Sequence, residues 1–375
     1  MAHPSEFFEW LFWGATATET FFWSMAFWAF MREPQPERNP PDSDLAVSVI
    51  VAARNEAPQL RKNLDLWLRQ KGIEFELLVI DHASEDESPA FLREAVARKS
   101  DKLRVLRVPQ QHPSGAGKKI PLQAGIAAAR NPVLVFTDAD CSPKSARWLA
   151  CMAAPFSKPR VDFVLGLSPY QPLVGPLGWL IGAETLHTAL LYTTAARIGM
   201  PFMGVGRNMA VRRRLFAQCD GYGPHRHLPA GDDDLLVNRL ARGRNTEVIT
   251  APESQTTSLP PSNWRAWWRQ KVRHTSVATQ YRPFSLLFIG TVWMSAFLWW
   301  IGSLGSFLVA DTGYLVASGF AMMVGLKAAL YVLLVKQWHV PASGPAQFLG
   351  LLFHPVLIQP LLGILSLVKP RFSWR

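Results

Sequence analysis

The sequence predicts an α/β fold in which a parallel, doubly wound sheet is flanked by transmembrane helices. Segments of strand length alternate with segments of helical pattern between residues 45 and 137, an order typical of parallel sheets covered by helices on both faces. Long apolar runs occur near both ends of the chain. The mean hydropathy of +0.07 is high for a soluble enzyme and low for a protein that lies wholly in a bilayer, so we expect both kinds of structure.

Four apolar segments are predicted to form the central strands. They are rich in Val and Ile and do not alternate with polar residues, which is typical of strands buried on both faces. The segments between them carry the mixed polar and apolar pattern of helices. The predicted strands are 45–53, 75–81, 103–108 and 132–137, and the predicted helices are 57–71, 87–99 and 119–130.

Residues 7–31 form an apolar run that is long enough to cross a membrane once. A carboxylate near its centre, Glu19, costs about 2.5–3.5 kcal/mol on insertion scales and therefore needs a partner or a proton. No Lys or Arg precedes the run, which argues against a cleaved signal peptide. The first basic residue, Arg32, follows it directly, so the positive-inside rule places the chain beyond it in the cytoplasm. We expect an anchor over 1–32 and a proline-rich linker over 33–44.

The C-terminal region, residues 283–375, carries three more apolar segments. Segments 284–309 and 314–335 are predicted to span the membrane. Segment 348–368 contains two prolines and is either a third span or a re-entrant hairpin. Lys327 lies inside the second span and is expected to snorkel or to pair with a lipid phosphate. The region therefore holds two or three spans.

The soluble part is predicted over residues 45–282, and its apolar stretch 173–192 is expected to be a core helix or an interface helix. The whole chain has 39 Lys and Arg against 28 Asp and Glu, a net charge of +11. Nucleic acid, anionic lipid and anionic substrates all fit that charge. The membrane signals favour the last two and argue against nucleic acid. Three cysteines without a CxxC spacing indicate neither a disulfide framework nor a zinc knuckle, and favour reduced cytosolic thiols.

Polar clusters follow three of the predicted strands, at 53–56, 81–86 and 137–140. In a doubly wound sheet, ligands bind at the carboxyl ends of the strands. Each cluster alone also fits a turn or a helix cap, but three on one edge indicate a site. Asp138 and Asp140 are separated by one residue, and such a pair suits one hard cation and one sugar hydroxyl.

With four further motifs, these clusters resemble the pattern of family 2 glycosyltransferases of the nucleotide-sugar-binding GT-A fold. The resemblance covers residues 45 to about 282, and the membrane segments resemble those of synthases and ceramide-glucosyltransferase-like members. The motifs are Val47–Glu56, Asp81–Asp86, Gly117-Lys118, Asp138-Ala139-Asp140, Gly206–Ala210, Gly231–Asp234 and Gln270–His274.

The resemblance implies roles for the strand-end residues. Glu56 and Asp81 would hold the base and ribose of a nucleoside diphosphate, and Lys118 would contact the nucleotide. A solvated cation at a helix start remains an equal alternative for Lys118. Asp138 would bind ribose or sugar, and Asp140 would bind a Mg or Mn ion that bridges to the diphosphate.

The motif Gly231–Asp234 carries three adjacent aspartates where the family usually has Glu-Asp. The resemblance implies that Asp233, with Asp232 beside it, is the general base for the acceptor hydroxyl. Repulsion between such close carboxylates raises one pKa, which suits a base. A helix N-terminus is the alternative, because Asp is favoured there.

The motif Gln270–His274 resembles the family's Gln-x-x-Arg-Trp element, with His274 in place of Trp. By this resemblance Gln270 and Arg273 would bind substrate, Arg273 at the diphosphate. The replacement of Trp favours transfer of a single sugar over processive synthesis. An amphipathic interface helix is a compatible alternative. His112, His225 and His227 are expected in polar loops, because their spacing does not complete a zinc site.

These implications describe a metal-dependent, inverting glycosyltransferase in the bacterial inner (plasma) membrane, multi-pass, with a cytoplasmic catalytic domain. The donor would be a nucleotide-sugar, most simply a UDP-sugar, and the acceptor a lipid or lipid-linked hydroxyl. Two alternatives stay open: a processive polysaccharide synthase, and a non-catalytic membrane scaffold with a degenerate transferase domain. A transporter is less favoured, because the spans show no inverted repeat.

Overall fold

A computed structural model describes residues 4–32, 43–98, 101–109, 117–218, 220–228, 230–309, 313–341 and 344–366. Most of the predicted linker, His112, Cys219 and residues 367–375 lie outside the described residues. The strands are β1 (Ser43–Ala53), β2 (Ile73–His82), β3 (Leu103–Val108), β4 (Val133–Asp138), β5 (Ser142–Pro143), β6 (Phe163–Gly166), β7 (Met209–Arg212), β8 (Thr246–Ile249) and β9 (Thr256–Thr257).

The first helix precedes strand β1 in the sequence, and the other helices follow that strand. They are α1 (Pro4–Met31), α2 (Ala57–Leu68), α3 (Ser88–Arg98), α4 (Lys119–Ala128), α5 (Trp148–Ala153), α6 (Pro176–Arg197), α7 (Arg213–Gln218), α8 (Asp234–Leu240), α9 (Trp264–Thr275), α10 (Pro283–Val309), α11 (Gly313–Trp338), α12 (Pro345–Leu357) and α13 (Gln359–Ser366).

The main sheet has seven strands in the order β3-β2-β1-β4-β7-β6-β8. The four predicted strands are present, and they pair in parallel, which confirms the doubly wound half of the sheet. Strand β7 then runs antiparallel to both β4 and β6, so the complete sheet is mixed. The parallel strands bring their carboxyl ends to one edge, and that edge carries the polar clusters.

Apolar layers cover both faces of this sheet. One layer packs Trp67 of α2 and Trp148 of α5 against β1 and β4. The other continues from the sheet through α4 and α6 into the helices α1, α10 and α11. Because this second core is continuous, the long apolar helices are packed onto the sheet domain.

Two described helical segments are long and apolar enough to cross a membrane, Pro283–Val309 and Tyr314–Trp338. They correspond to the first two predicted C-terminal spans. The third predicted segment forms two shorter helices, α12 and α13, which meet at Ile358. Neither has the length of about 20 residues that a crossing needs. Helix α1 has 28 residues but is not among the two segments.

Helix α1 packs closely along α10. A Cβ atom added at Gly302 would lie 2.6 Å from the backbone nitrogen of Phe12, and one at Gly305 would overlap the ring of Phe8. Glycine therefore permits this approach, as small residues do between helices in membranes.

Glu19 finds its partner inside this bundle. Lys327 Nζ of α11 lies 2.7 Å from Glu19 Oε2, and Ser295 Oγ of α10 donates to Glu19 Oε1 at 2.6 Å. Trp23 Nε1 donates to Oε2 at 3.0 Å, and the Lys327 ammonium also lies 4.6 Å from the ring centre of Trp299. Glu19 and Lys327, for which the sequence showed no partner, thus form an ion pair with each other. Lys327 pairs with this carboxylate of the protein and not with the expected lipid phosphate.

Candidate active site

A cavity of about 690 Å³ opens at the carboxyl edge of the parallel strands. It brings together eight of the nine predicted site residues, which lie at or just after the ends of β1 and β4, just before α4 and α8, and on α9. These are Glu56, Lys118, Asp138, Asp140, Asp232, Asp233, Gln270 and Arg273.

Asp81 is the predicted site residue that does not line this cavity. Its side chain is buried at the end of β2. Its Oδ1 accepts a hydrogen bond from the Ser84 backbone at 3.2 Å, and Arg107 Nε lies 3.7 Å from Oδ2. In this structure Asp81 therefore supports the turn that follows β2.

Lys118 lies between two of the acidic motifs. Its ammonium contacts Asp138 Oδ1 directly and lies 3.8 Å from Asp232 Oδ2. Burial opposes the ionisation of Asp138, but the Lys118 charge outweighs burial and lowers the pKa of Asp138. Lys118 is therefore a largely buried, charge-paired group with its side chain 15% exposed, and the alternative of a solvated helix-start cation does not hold.

Asp138, Asp140 and Cys141 place their ligand atoms within 4.8 Å of one another. Burial and the adjacent Asp138 charge raise the pKa of Asp140. Burial and Asp140 also raise the pKa of the Cys141 thiol well above its usual value, so the sulfur stays protonated. The usable ligands are then the two carboxylates, and a hard cation such as Mg or Mn prefers oxygen ligands.

Asp233 caps the N-terminus of α8. Its Oδ1 accepts from the Asp234 backbone at 2.8 Å, and its Oδ2 accepts from the Gly206 backbone at 2.7 Å. Burial and the adjacent Asp232 raise the pKa of Asp233 to about 6. Each carboxylate oxygen has two lone pairs, so the cap leaves Asp233 able to accept a proton. The capping and the base interpretations of the motif are compatible.

Two more carboxyls of the cavity are perturbed in the same direction. Burial and the Asp233 charge raise the pKa of Asp234 to about 7, although Tyr281 donates its hydroxyl to Asp234 at 2.7 Å. Burial and the charge of Asp140 raise the pKa of Glu56 to about 7. Perturbed carboxyls gathered in one cavity are typical of functional sites.

Lys119 positions the loop that precedes the three aspartates. Its side chain is buried, and Nζ donates to the carbonyl of Leu228 at 2.8 Å and to the carbonyl of Ala230. Adjacent lysines thus hold the acidic motif in two ways, because Lys118 contacts its side chain and Lys119 its backbone. No role was predicted for Lys119, and its place beside Lys118 was the available signal in the sequence.

Arg207 also lines the cavity, although no role was predicted for it. Its guanidinium lies 4.2 Å from the ring centre of Tyr170, and it donates to Ser258 Oγ at 2.6 Å. Its charge acts to lower the pKa values of Asp138 and Asp140. Guanidinium groups fixed in this way suit phosphate oxygens. Arg207 lies within the motif Gly206–Ala210, and this motif was the signal in the sequence for its position.

Helix α9 carries the last motif, Gln270–His274, which lies at the cavity. Gln270 Nε2 donates to the Tyr170 hydroxyl at 3.0 Å, and Arg273 and His274 also line the cavity. Trp267 is buried, whereas Trp264 is 53% exposed. One face of α9 therefore serves the cavity and the other is exposed, so the substrate-binding and interface-helix interpretations remain compatible.

Comparisons with known proteins agree with this geometry. The model of the family "Glycosyl transferase family 2" matches residues 48–218, and that of "Glycosyl transferase family group 2" matches residues 135–340. No curated protein matches the chain.

Among solved structures, a mannosyltransferase from Pyrobaculum calidifontis in complex with GDP-Man and Mn²⁺ has a TM-score of 0.59 and 17% identity, covering 94% of this chain and 99% of its own. S. aureus TarS has a TM-score of 0.42 and 16% identity, covering 63% of this chain and 40% of its own. The first likeness shows the fold, and the second is too weak to carry an argument. Because one family model spans more than half of the sequence, the chain belongs to glycosyl transferase family group 2 and is a glycosyltransferase with a GT-A fold.

Proposed function

We propose that this glycosyltransferase transfers a sugar from a nucleotide-sugar to a hydroxyl of a lipid or lipid-linked acceptor, with inversion at the sugar carbon. One observation carries the proposal. The cavity that holds the acidic motifs also extends along α6 and α10, where Ile181, Ile289 and Trp293 line it. A polar end suits a sugar nucleotide, and an apolar wall suits a hydrocarbon chain.

The donor is assigned to the sheet edge. Glu56 and Asp138 bind hydroxyls of the ribose or sugar, and Arg207 and Arg273 face the diphosphate. Asp81 remains a proposed nucleotide contact only through its place at the end of β2, since it lies outside the cavity wall. UDP is the proposed nucleotide, although the Pyrobaculum mannosyltransferase binds GDP-Man, so both bases belong in the test.

Asp140, together with Asp138, is the proposed ligand pair for Mg or Mn. When bound, the cation would neutralise charge on the departing diphosphate. The two carboxylates fit that role, because both are oxygen ligands. Burial and the adjacent Asp138 charge raise the pKa of Asp140, and a bound cation would offset both effects. The similar mannosyltransferase contains Mn²⁺.

Asp233 is the proposed general base, and Asp232 supports it. Asp233 takes the proton of the acceptor hydroxyl while the new bond forms between that oxygen and the sugar carbon. The bond from the sugar carbon to the diphosphate breaks in the same step, and the nucleoside diphosphate leaves on the opposite side. This single displacement inverts the sugar carbon. The backbone hydrogen bonds from Gly206 and Asp234 hold the carboxylate in place.

The membrane arrangement is proposed from the helices. An anchor over 1–32 and a region over 283–375 would form one multi-pass bundle in the bacterial inner membrane, with the domain 45–282 in the cytoplasm. The buried pair of Glu19 and Lys327 supports this arrangement, because it ties the anchor to the second C-terminal span. A lipid acceptor would reach the cavity from this bundle.

The test measures nucleotide release by the purified protein in detergent, with UDP- and GDP-sugars, total membrane lipid, and Mg, Mn or EDTA. We expect lipid-stimulated turnover of one donor, lost with EDTA and in Asp233→Asn. Asp220→Asn is the matched control, since the Asp220 side chain is 81% exposed and its φ of 56° is tolerated by Asn. Absence of both turnover and nucleotide binding would contradict the proposal.

A further inference from the structure

A second polar cluster lines the same cavity, and it comes from helices rather than from strand ends. Lys271 Nζ of α9 lies 2.6 Å from Glu184 Oε1 of α6. Trp267 Nε1 donates to Glu184 Oε2 at 3.2 Å. His354 Nε2 of α12 lies 3.9 Å from Glu184 Oε1. We refer to Glu184, Lys271 and His354 as the helix cluster.

His354 is the unusual member of the helix cluster. It is 4% exposed, it lines the cavity, and neither ring nitrogen has a hydrogen-bond partner among the described residues. Its ring packs 5.4 Å from that of Trp293. Buried polar atoms are nearly always hydrogen-bonded, so an unsatisfied group that faces a cavity indicates a polar ligand or water there.

The charges of the helix cluster restrict the kind of ligand. Glu184 and Lys271 compensate each other, and both are largely buried, with side chains 10% and 16% exposed. A phosphate bound at His354 would lie beside the Glu184 carboxylate and add buried charge without a new cation, which is costly. An uncharged imidazole offers one donor and one acceptor, which match a hydroxyl, an ester or an amide.

The walls around the helix cluster indicate what carries that polar group. Ile181, Ile289 and Leu362 line the cavity with Trp293, and they come from α6, α10 and α13. An apolar lining beside one neutral hydrogen-bonding site suits a lipid that has an uncharged headgroup.

We propose that the helix cluster is a binding subsite for an uncharged polar group of the lipid acceptor, with His354 as the hydrogen-bonding residue. The acceptor class is then a neutral hydroxy-lipid, such as a diacylglycerol, and not a polyprenyl phosphate. This inference rests on the proposed transfer to a lipid hydroxyl. It adds the subsite and the charge of the acceptor.

The test compares 1,2-dioleoylglycerol with a polyprenyl phosphate as acceptor, using the full-length protein in detergent and its active donor. We expect transfer to dioleoylglycerol. His354→Phe keeps a ring but removes both hydrogen-bonding atoms, so it should raise the acceptor KM about tenfold. His354→Gln keeps a donor and an acceptor and should recover most of that loss. Nucleotide binding should be unchanged in both variants.

The outcomes separate the subsite from the enzyme. An unchanged acceptor KM in His354→Phe would overturn the subsite and leave the proposed transfer to a lipid hydroxyl intact. Transfer to polyprenyl phosphate alone would overturn the subsite and the hydroxyl acceptor together, because this lipid accepts the sugar on a phosphate oxygen, but the glycosyltransferase activity itself would stand. Absence of turnover and nucleotide binding in the wild type would instead remove the proposed function.

A second measurement does not depend on the folding of a variant. A dioleoylglycerol analogue with a diazirine on its acyl chain should label wild-type peptides from α6, α10 or α12 on irradiation. Unlabelled dioleoylglycerol should compete, and polyprenyl phosphate should not. Labelling confined to other parts of the chain would overturn the subsite.

Discussion

Two largely buried lysines of this protein, Lys118 and Lys327, have opposite surroundings. Lys118 at the sheet edge lies among several carboxylates, since it contacts Asp138 and lies near Asp232, with Asp233 close enough to affect its pKa. Lys327 in the helical bundle pairs with Glu19. Both lysines join distant parts of the chain, but only the first lies in the cavity.

The difference lies in charge balance. At the sheet edge the acids outnumber the nearby lysines, and burial together with the neighbouring acids raises the pKa values of Glu56 and Asp233 to about 7 and about 6. Those acids are ready to accept a cation or a proton. In the bundle, Glu19 has one cation and two hydrogen bonds, so its charge is already compensated and does not attract a ligand. Buried acids without enough neighbouring cations thus indicate the candidate active site, whereas the fully paired Glu19 and Lys327 stabilise the helical bundle.

The largest effect is expected from Asp233→Asn. Asn retains a capping oxygen but does not take a proton from the acceptor, so kcat should fall about 10²- to 10⁴-fold. Steady-state nucleotide release measures this, and circular dichroism checks folding. Asp220→Asn should leave kcat unchanged. Full activity in Asp233→Asn would assign the base elsewhere.

Lys327→Met should affect stability instead of chemistry. It leaves the Glu19 carboxylate buried without a cation, and breaking a buried pair in this way costs about 3–5 kcal/mol. A lower thermal midpoint in detergent should report this, with nucleotide binding retained at low temperature. Lys336→Met is the control, because Lys336 lies exposed on the same helix.

The pair itself is tested by adding Glu19→Gln to Lys327→Met. The double variant should recover much of the lost stability, since neither charge is then left alone. If Lys327→Met melts like the wild type, the pair does not hold the bundle together.

Lys119→Met should lower kcat/KM about tenfold, because two backbone carbonyls of the acidic loop lose a charged donor. The loop would then hold the three aspartates less precisely. The exposed Lys62 provides the same change without a buried contact, so Lys62→Met should match the wild type. Equal kcat/KM in the two variants would remove the positioning role of Lys119.

The smallest effect is a shift in pH dependence. Asp233 must be ionised to accept a proton, so activity should fall as the pH drops below its pKa of about 6. Asp232→Asn removes a charge that raises this pKa, so the acid limb of kcat/KM should move to lower pH by about one unit. A pH-rate profile measures the shift. An unmoved limb in Asp232→Asn would show that charge imbalance does not tune the base.

Local pattern was enough to predict the elements near the site. The predicted strand 75–81 lies within β2, and the predicted helix 119–130 begins where α4 begins. Apolar runs and helical spacing are properties of one segment, so they can be read without knowledge of its neighbours. The same applies to the polar residues at strand ends, which parallel pairing was bound to collect at one edge.

Pairing between distant segments was not accessible in this way. The sequence showed that Glu19 needed a partner, but not that Lys327 and Ser295 provide it. It placed Asp81 with the nucleotide site, whereas the structure turns its carboxylate into the loop after β2. It left His354 as a residue in an apolar segment, and did not bring it beside Glu184.

The parallel strands, the acidic motifs at their ends and the apolar helices could all be predicted from the sequence, because each depends on the order of residues within one element. Which buried charges are paired and which are not became visible only in the folded structure. That balance depends on side chains from different elements that packing brings within a few ångströms, and no spacing along the chain encodes it.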